Sequence, residues 1–134
     1  MSAISSLYTA VFDAIRGVGL VYADYAPQNA MRPYIVFYFT SGGNTREVVN
    51  NRQRIVLTVK CVADNVSEAH TMASAFNAIL EDAGGQETGV IDGDSQWVIT
   101  TITQNGTVHY PEYDSMIVPI YHVGFEYEIV MEEI

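Results

Sequence analysis

Apolar residues near the start of the chain recur every three or four positions, the spacing of one face of an α-helix. The members of this apolar stripe are Ile4, Leu7, Tyr8, Val11, Phe12 and Ile15. Ser2 stands where an N-cap is expected, and Gly17 stands where a helix can end. We therefore predict a first helix whose apolar face packs on the core.

A second helical stripe lies in the middle of the chain. Its members are Ala69, Met72, Ala73, Phe76, Ile79 and Leu80. Asn65 or Ser67 can act as the N-cap, because both side chains accept hydrogen bonds from backbone N–H groups. The pair Gly84-Gly85 suits a helix end, because glycine readily adopts positive φ. The pattern predicts a second helix between these signals.

Three strands are predicted between the two helices. Leu20–Tyr25 is a short strand candidate, and Tyr34–Phe39 is a dense run of β-branched and aromatic residues. The two prolines of the segment between them exclude a continuous ladder there. Ser41–Asn44 favours a chain reversal, so we expect a hairpin that returns as a long strand from about Glu47 to Val62.

Residues of the long return strand alternate between two faces, as period-2 geometry requires. The residues of the predicted core face are Ile55, Leu57, Val59 and Cys61. The residues of the half-polar face are Arg52, Arg54, Val56, Thr58 and Lys60. One side of this strand is therefore expected to pack inward.

The last third of the chain predicts a second hairpin and a final strand. The runs 97–103 and 107–110 flank Asn105-Gly106, a strong short-range hairpin signal. In the final strand the inward residues are Val123, Phe125, Tyr127, Ile129 and Met131, and the opposite, acidic side holds His122, Glu126, Glu128 and Glu132. The element order α-β-β-β-α-β-β-β predicts an α+β fold, with a mainly antiparallel sheet and two helices packed on one face.

Composition limits the size of the protein and the kinds of partner. A chain of 134 residues with 49% hydrophobic and 16% charged residues suits one folded domain. Six basic against 16 acidic residues give a formal charge of −10, which disfavours a grip on DNA or RNA phosphates. No basic leader or long apolar run is present, so we expect synthesis in the cytoplasm and no membrane span.

Candidate chemical groups are scattered along the sequence. Cys61 lies in an apolar strand row, so we interpret it as a core residue, not a nucleophile. His70, His109 and His122 have no ligand spacing, and we expect them at the surface or its boundary. The segment 92–95 lacks the third acidic position and the closing glutamate of a calcium loop, so we interpret it as a turn. Ser41-Gly42-Gly43 precedes a strand, whereas a phosphate loop needs a helix there. The sequence predicts no catalytic, cofactor or metal site.

Two charged groupings remain. Glu112, Tyr113 and Asp114 follow a proline, and we predict a solvated loop there, because nothing nearby would separate two carboxylate pKa values. Arg46, Arg52 and Arg54 hold half of the positive charges and have the same parity, so an unbroken strand shows them on one face. This basic ridge either pairs with nearby carboxylates of the same chain or meets the acidic surface of a neighbouring subunit or partner.

Three segments, Ser6–Ile15, Arg54–Leu80 and Gln104–Ile129, have the length and character of elements in a known family. The first resembles the opening helix, the second the long strand and following helix, and the third the closing hairpin and final strand of tail terminator proteins of long-tailed bacteriophages. These proteins are also called tail completion proteins. The resemblance covers nearly the whole chain and rests on element order, since the family has no invariant catalytic motif. It implies one tail-terminator-like domain over residues 1–134.

What the resemblance implies is a structural virion protein without enzymatic activity or cofactor, made in the host cytoplasm and placed at the head-tail junction. A ring, usually of six subunits, caps the finished tail tube, stops its polymerisation and presents the surface that joins the head. The implied partners are further copies of the chain, the tail tube protein and the head-tail connector protein. DNA passes through the lumen without specific binding, so we expect that lumen to be acidic or neutral.

A closed ring requires unlike patches to meet, which a basic ridge and an acidic sheet face would satisfy. We therefore predict Arg46, Arg52 and Arg54 at a subunit or tube interface. Two alternatives remain: another neck or minor tail protein, and a cytoplasmic non-enzymatic adaptor, which a polar pocket on the open sheet face would favour. An enzyme is disfavoured, because no grouping of nucleophile, base and orienting residue can be proposed.

Overall fold

The structure is a computed structural model that describes residues 3–27, 29–40, 52–83, 97–113 and 119–133. Two helices and five strands lie in these ranges. They are α1 (Ala3–Ile15), β1 (Val21–Ala23), β2 (Tyr34–Thr40), β3 (Arg52–Ala63), α2 (Val66–Ala83), β4 (Trp97–Tyr113) and β5 (Pro119–Glu133). The proposed cap Ser2, the reversal at 41–44, the start of the long strand at 47–51 and the helix-end glycines 84–85 lie outside the described residues.

The five strands form one sheet in the order β1-β2-β3-β5-β4. β1 pairs with β2 in parallel, and the other three pairings are antiparallel. This confirms the α+β class and the mainly antiparallel sheet, and the parallel β1 makes the sheet mixed. The β2–β3 pair runs from Tyr34 opposite Val62 to Thr40 opposite Val56, as the first predicted hairpin requires.

Both helices pack on the same face of the sheet, as predicted. A single buried cluster contains Leu7 and Ile15 of α1, Phe76 of α2, Leu57 of β3 and Tyr127 of β5. The expected inward row of the long strand, Ile55, Leu57, Val59 and Cys61, is buried throughout. Burial of such side chains removes apolar surface from water, and each one contributes roughly 1.5–3 kcal/mol.

The first helix buries a stripe that differs from the predicted one. Leu7, Val11 and Ile15 are buried, and Ala10 completes the inward face. Phe12, which we expected in the core, is 39% exposed. The helix is oriented so that positions 7, 11 and 15 face the core, and position 12 then lies on the flank of the helix.

Hydrogen bonds from backbone N–H groups to one side chain define the start of α2. The Asn65 side-chain oxygen accepts from the N–H of Ser67 at 2.8 Å and from that of Glu68 at 3.4 Å. Asn65 is therefore the N-cap, and Ser67 lies inside the helix.

No helix within the described ranges is both long and apolar enough to cross a bilayer.

The hairpin predicted at Asn105-Gly106 is wrong. β4 continues through these residues and pairs with β5 on both sides of them. Gln104 lies opposite Tyr127 and Gly106 lies opposite Glu126, so Asn105 is the extra residue of a β-bulge. β5 is one long partner strand that pairs with β4 before and after the bulge. Because β5 satisfies the backbone N–H and C=O groups of both parts of β4, no turn is needed at Asn105-Gly106. The described elements therefore number one strand fewer than predicted.

The predicted loop at Glu112-Tyr113-Asp114 is also wrong in part. Glu112 pairs with Ile120 and Tyr113 with Pro119, so both belong to β4. Asp114 lies outside the described residues. β4 pairs with β5 in antiparallel fashion as far as Tyr113 opposite Pro119.

Candidate contact site on the outer sheet face

The outer face is the side of the sheet opposite the two helices. Cross-strand partners in an antiparallel pair share a face, so Lys60, Gly124 and Val108 form one row across β3, β5 and β4. Val62, His122 and Tyr110 form the next row. A small buried cluster of Val36, Val62 and Ile120 lies on this side, with Tyr22 and Tyr34 packed against it.

Lys60 occupies the centre of the outer face. Its ammonium donates a hydrogen bond to the Tyr110 hydroxyl at 2.9 Å. The same nitrogen lies 5.4 Å from the Tyr110 ring centroid and 5.9 Å from that of Tyr38. Both distances are within the range of a cation–π interaction. Lys60 is therefore held between two tyrosines that come from β2 and β4.

His122 is buried on this face, with 6% of its surface exposed. The prediction of a surface histidine is wrong here, because the Tyr110 ring stacks on the imidazole at 4.4 Å. The Nε2 atom lies 3.2 Å from a Glu112 carboxylate oxygen. Burial and the Lys60 charge lower the pKa of His122, and Glu112 opposes this shift. A neutral His122 that donates from Nε2 has Nδ1 as an acceptor, and this Nδ1 is buried without a hydrogen-bond partner among the residues that the structure describes.

An open depression of about 220 Å³ lies beside Lys60. Its lining includes the segment 24–26, Tyr34, Tyr38, Lys60 and His122. Burial raises the pKa of the Tyr34 phenol, although Arg32 and Lys60 oppose the shift, so this phenol stays protonated at neutral pH and can donate. We call the grouping of Tyr34, Tyr38, Lys60, Tyr110 and His122 the Lys60 site.

The arginines of the predicted basic ridge are placed unevenly. Arg46 lies outside the described residues, and Arg52 stands opposite Glu132 in the β3–β5 register. The Nε atom of Arg54 lies 3.3 Å from a Glu128 carboxylate oxygen, with side-chain exposures of 54% and 32%. Arg54 thus pairs within the chain, as the first of the two sequence interpretations holds. The pair is exposed enough to meet a neighbour as well, so the interface remains a prediction.

Cys61 is a core residue. Its side chain is fully buried, and burial together with the nearby Glu68 charge raises the pKa of the thiol to about 12. The thiol is therefore protonated and unreactive at neutral pH. Its sulfur lies 3.6 Å from the Met72 sulfur.

The other two histidines meet across elements. The His70 ring of α2 lies 5.2 Å from the His109 ring of β4, centroid to centroid, which sequence spacing did not show. Across the part of the chain that the structure describes, no three side chains of His, Cys, Asp or Glu converge as metal ligands. The segment 92–95, considered above as a calcium loop, lies outside that part.

The Lys60 site was missed at the sequence level, although part of its signal is present there. Lys60 is the only lysine of the chain, and Tyr34 and Tyr38 have the alternation expected of one strand face. Tyr110 and His122 could not be added, because the bulge at Asn105 reverses the alternation along β4. Only the strand register brings them to Lys60.

These features describe a small α+β protein with an unreactive buried thiol and a sheet face that offers polar contact surface. The sequence matches the family described as "Tail completion protein gp17" over residues 3–132, and the chain belongs to that family. It is accordingly a structural, non-enzymatic tail component of a phage-like virion. This confirms the resemblance noted from the three sequence segments.

A solved structure has the same fold. A chain in the virion of a native gene transfer agent particle aligns with a TM-score of 0.68 at 10% identity, over 98% of each chain. At this identity the alignment shows the shared fold alone. Comparison with curated proteins gives no match.

Proposed function

We propose that this protein closes the end of a completed tail tube as a ring, stops further polymerisation of the tube and forms the surface that joins the tail to the head. The observation that carries the proposal is the family match, which extends from residue 3 to residue 132 and so reaches every described element. Residues 1–134 act in this proposal as one domain, and six copies form the ring.

The outer sheet face supports a ring, because a closed cyclic assembly is built from contacts between unlike patches. This face carries cations at Arg54 and Lys60 and carboxylates at Glu126 and Glu128. The Arg54–Glu128 pair is exposed and so contributes little to folding by itself. A guanidinium has five N–H donors, more than one carboxylate uses, so Arg54 can also bind a carboxylate of the next subunit.

The proposed partners are further copies of the chain, the tail tube protein and the head-tail connector protein. DNA passes through the lumen without specific binding. The formal charge of −10 supports this, since a lumen with few cations does not release counterions from DNA phosphates. The family match disfavours the cytoplasmic adaptor alternative, because the family is one of tail proteins. In this proposal the polar depression beside Lys60 is a contact surface of the assembly.

The first test is absolute mass by light scattering over a concentration series, with negative-stain imaging of the same samples. We expect a closed ring with a mass of six times the 14.8 kDa chain. The second test adds purified tail tubes and tube subunits. We expect density at one end of each tube and an arrest of tube growth at substoichiometric amounts. Continued growth of tubes that carry the protein, or binding along their sides, would refute the proposal and favour another neck or minor tail role.

A further inference from the structure

Lys60 differs from Arg16, Arg32 and Arg54 in its lack of an acidic partner among the described residues. Arg16 lies 3.8 Å from Asp13, Arg32 lies 2.7 Å from Asp64, and Arg54 lies 3.3 Å from Glu128. Among the described residues, Lys60 has no carboxylate oxygen within the 4.0 Å of an ion pair. In a chain with 16 acidic residues and one lysine, an unpaired ammonium is an unusual feature.

The surroundings of Lys60 hold its charge in place. The hydrogen bond to Tyr110 and the two flanking rings fix the ammonium at the side of the open depression. Tyr34 and Tyr38 line the same depression, and phenol hydroxyls donate hydrogen bonds to carboxylates. A fixed cation beside two phenol hydroxyls matches the charge and the hydrogen-bonding needs of a carboxylate.

Two neighbouring groups limit the chemistry of the depression. Asp24 also lines the depression, and its carboxylate already accepts a hydrogen bond from the Tyr8 hydroxyl. The Nε2 of neutral His122 is engaged by the Glu112 carboxylate and its Nδ1 is buried, so His122 has no free N–H to donate to an anion. Lys60 is therefore the group that attracts an anionic ligand.

We propose that the Lys60 site receives a carboxylate side chain from a second copy of this chain. This inference rests on the proposed ring and names one of its subunit contacts. Two copies of formal charge −10 repel each other, and a cation placed against a carboxylate at their contact offsets this repulsion. Each copy supplies many carboxylates and one lysine with no acidic partner in the described residues, so a lysine on one copy can meet a carboxylate on the next around a closed ring.

The single lysine allows a direct test. A water-soluble carbodiimide joins an amine to a carboxylate that touches it, and Lys60 provides the only side-chain amine. Equal amounts of ¹⁴N-labelled and ¹⁵N-labelled protein are mixed, assembled alone or on tube ends, and treated with the reagent. Peptide mass spectrometry then locates each cross-link and separates Lys60 from the N-terminal amine. We expect cross-links between Lys60 and a carboxylate that contain one peptide of each isotope.

Two variants separate charge from packing. Lys60→Met keeps an unbranched side chain and removes the charge, and we expect half-assembly to require a concentration roughly tenfold higher, which corresponds to about 1.4 kcal/mol. Lys60→Arg keeps the charge and removes the reactive amine. We expect this variant to assemble like the wild type and to give no cross-link at position 60. Circular dichroism of each variant reports whether the subunit is folded.

The outcomes distinguish this inference from the function on which it rests. Rings that give no mixed-isotope cross-link at Lys60 overturn the inference and leave the proposed function standing. The same conclusion follows if folded Lys60→Met assembles like the wild type. A cross-link to the tube protein instead would assign the carboxylate to a different partner and overturn the second-copy assignment. Absence of any assembled form, alone or on tubes, would overturn both proposals.

Discussion

His122 is a titratable side chain that the fold has taken out of water. The Tyr110 ring covers it, Glu112 accepts from Nε2, and Nδ1 has no hydrogen-bond partner within the described part of the chain. Protonation would add a second buried N–H donor beside the Lys60 charge. The lowered pKa of His122 follows from this burial and from Lys60.

Folding stability should therefore depend on the protonation of His122. The unfolded chain binds the proton near pH 6.5 and the folded chain only at lower pH, so stability is present above pH 6.5 and is lost as the pH falls below it. The loss attributable to this one group is at most about 1.4 kcal/mol per pH unit. Urea denaturation of the wild type and His122→Gln between about pH 8 and pH 5 measures it.

The free energy of unfolding of His122→Gln should depend less steeply on pH than that of the wild type below about pH 6.5. Its free energy of unfolding at the alkaline end, where His122 is neutral in both states, gives the cost of lost packing separately. Parallel curves for the two proteins would show that His122 does not take part in the acid response.

Strand spacing depends on one glycine in β5. A Cβ atom at Gly124 would lie 2.0 Å from the Val59 carbonyl oxygen and 2.5 Å from the Lys60 Cα. Both obstacles are backbone atoms of β3, so rotation of a side chain cannot relieve the overlap. The close approach of β3 to β5 at this point therefore needs glycine.

Gly124→Ala should destabilise the fold by about 3 kcal/mol or more, because the two central strands must separate to admit the methyl group. Gly17→Ala is the matched control, since a Cβ at Gly17 has no neighbour within 4 Å. That control should change stability by no more than about 0.5 kcal/mol. Urea denaturation followed by circular dichroism compares them, and equal midpoints for the two variants would contradict the argument.

The N-terminus of α2 depends on the Asn65 side chain. Asn65→Ala removes the acceptor for the Ser67 and Glu68 N–H groups and should cost about 1 kcal/mol. Ser67→Ala, the other cap that the sequence allowed, should have little effect. Thermal unfolding of both variants decides between them, and a larger loss for Ser67→Ala would reassign the cap.

Across the whole molecule, charge should control assembly more than folding. The double variant Arg52→Glu and Arg54→Glu replaces two cations of the predicted ridge and places a new carboxylate at position 54, beside Glu128, so we expect weaker ring formation. The effect should shrink as salt rises, because exposed charges are screened. Light scattering at low and high salt measures it.

Arg16→Glu is a control for this reversal, since Arg16 is an exposed cation on the C-terminal side of α1 whose ion pair, among the described residues, is the local one with Asp13. We expect it to assemble like the wild type. If the double reversal leaves both assembly and thermal stability unchanged, the predicted ridge is not an interface.

Much of the fold was predictable because its signals are local. The two helices, the core row of β3 and the inward face of β5 each follow from periodic burial, as Leu57, Phe76 and Tyr127 show. The failures arose where a distant partner overrode a local preference. Asn105-Gly106 favours a turn, yet β5 offers a continuous ladder, and the pair became a bulge.

The candidate site was much less predictable. Cys61 was assigned correctly to the core, because its own strand determines its burial. The surroundings of Lys60 were not visible, since Tyr110 lies 50 residues away and reaches Lys60 only through the register of β3, β5 and β4. His122 was misplaced for the same reason, because its burial depends on the Tyr110 ring.

The sequence by itself determined the fold class, the core stripes, the acidic charge and the resemblance to tail terminator proteins, because each of these is carried by residues that are close along the chain. The tertiary structure alone decided which side chains meet: Lys60 with Tyr110, His122 with Glu112, and Gly124 with the backbone of β3. The physical reason is that such contacts depend on strand order and register, and these are settled when the whole sheet is assembled against its core.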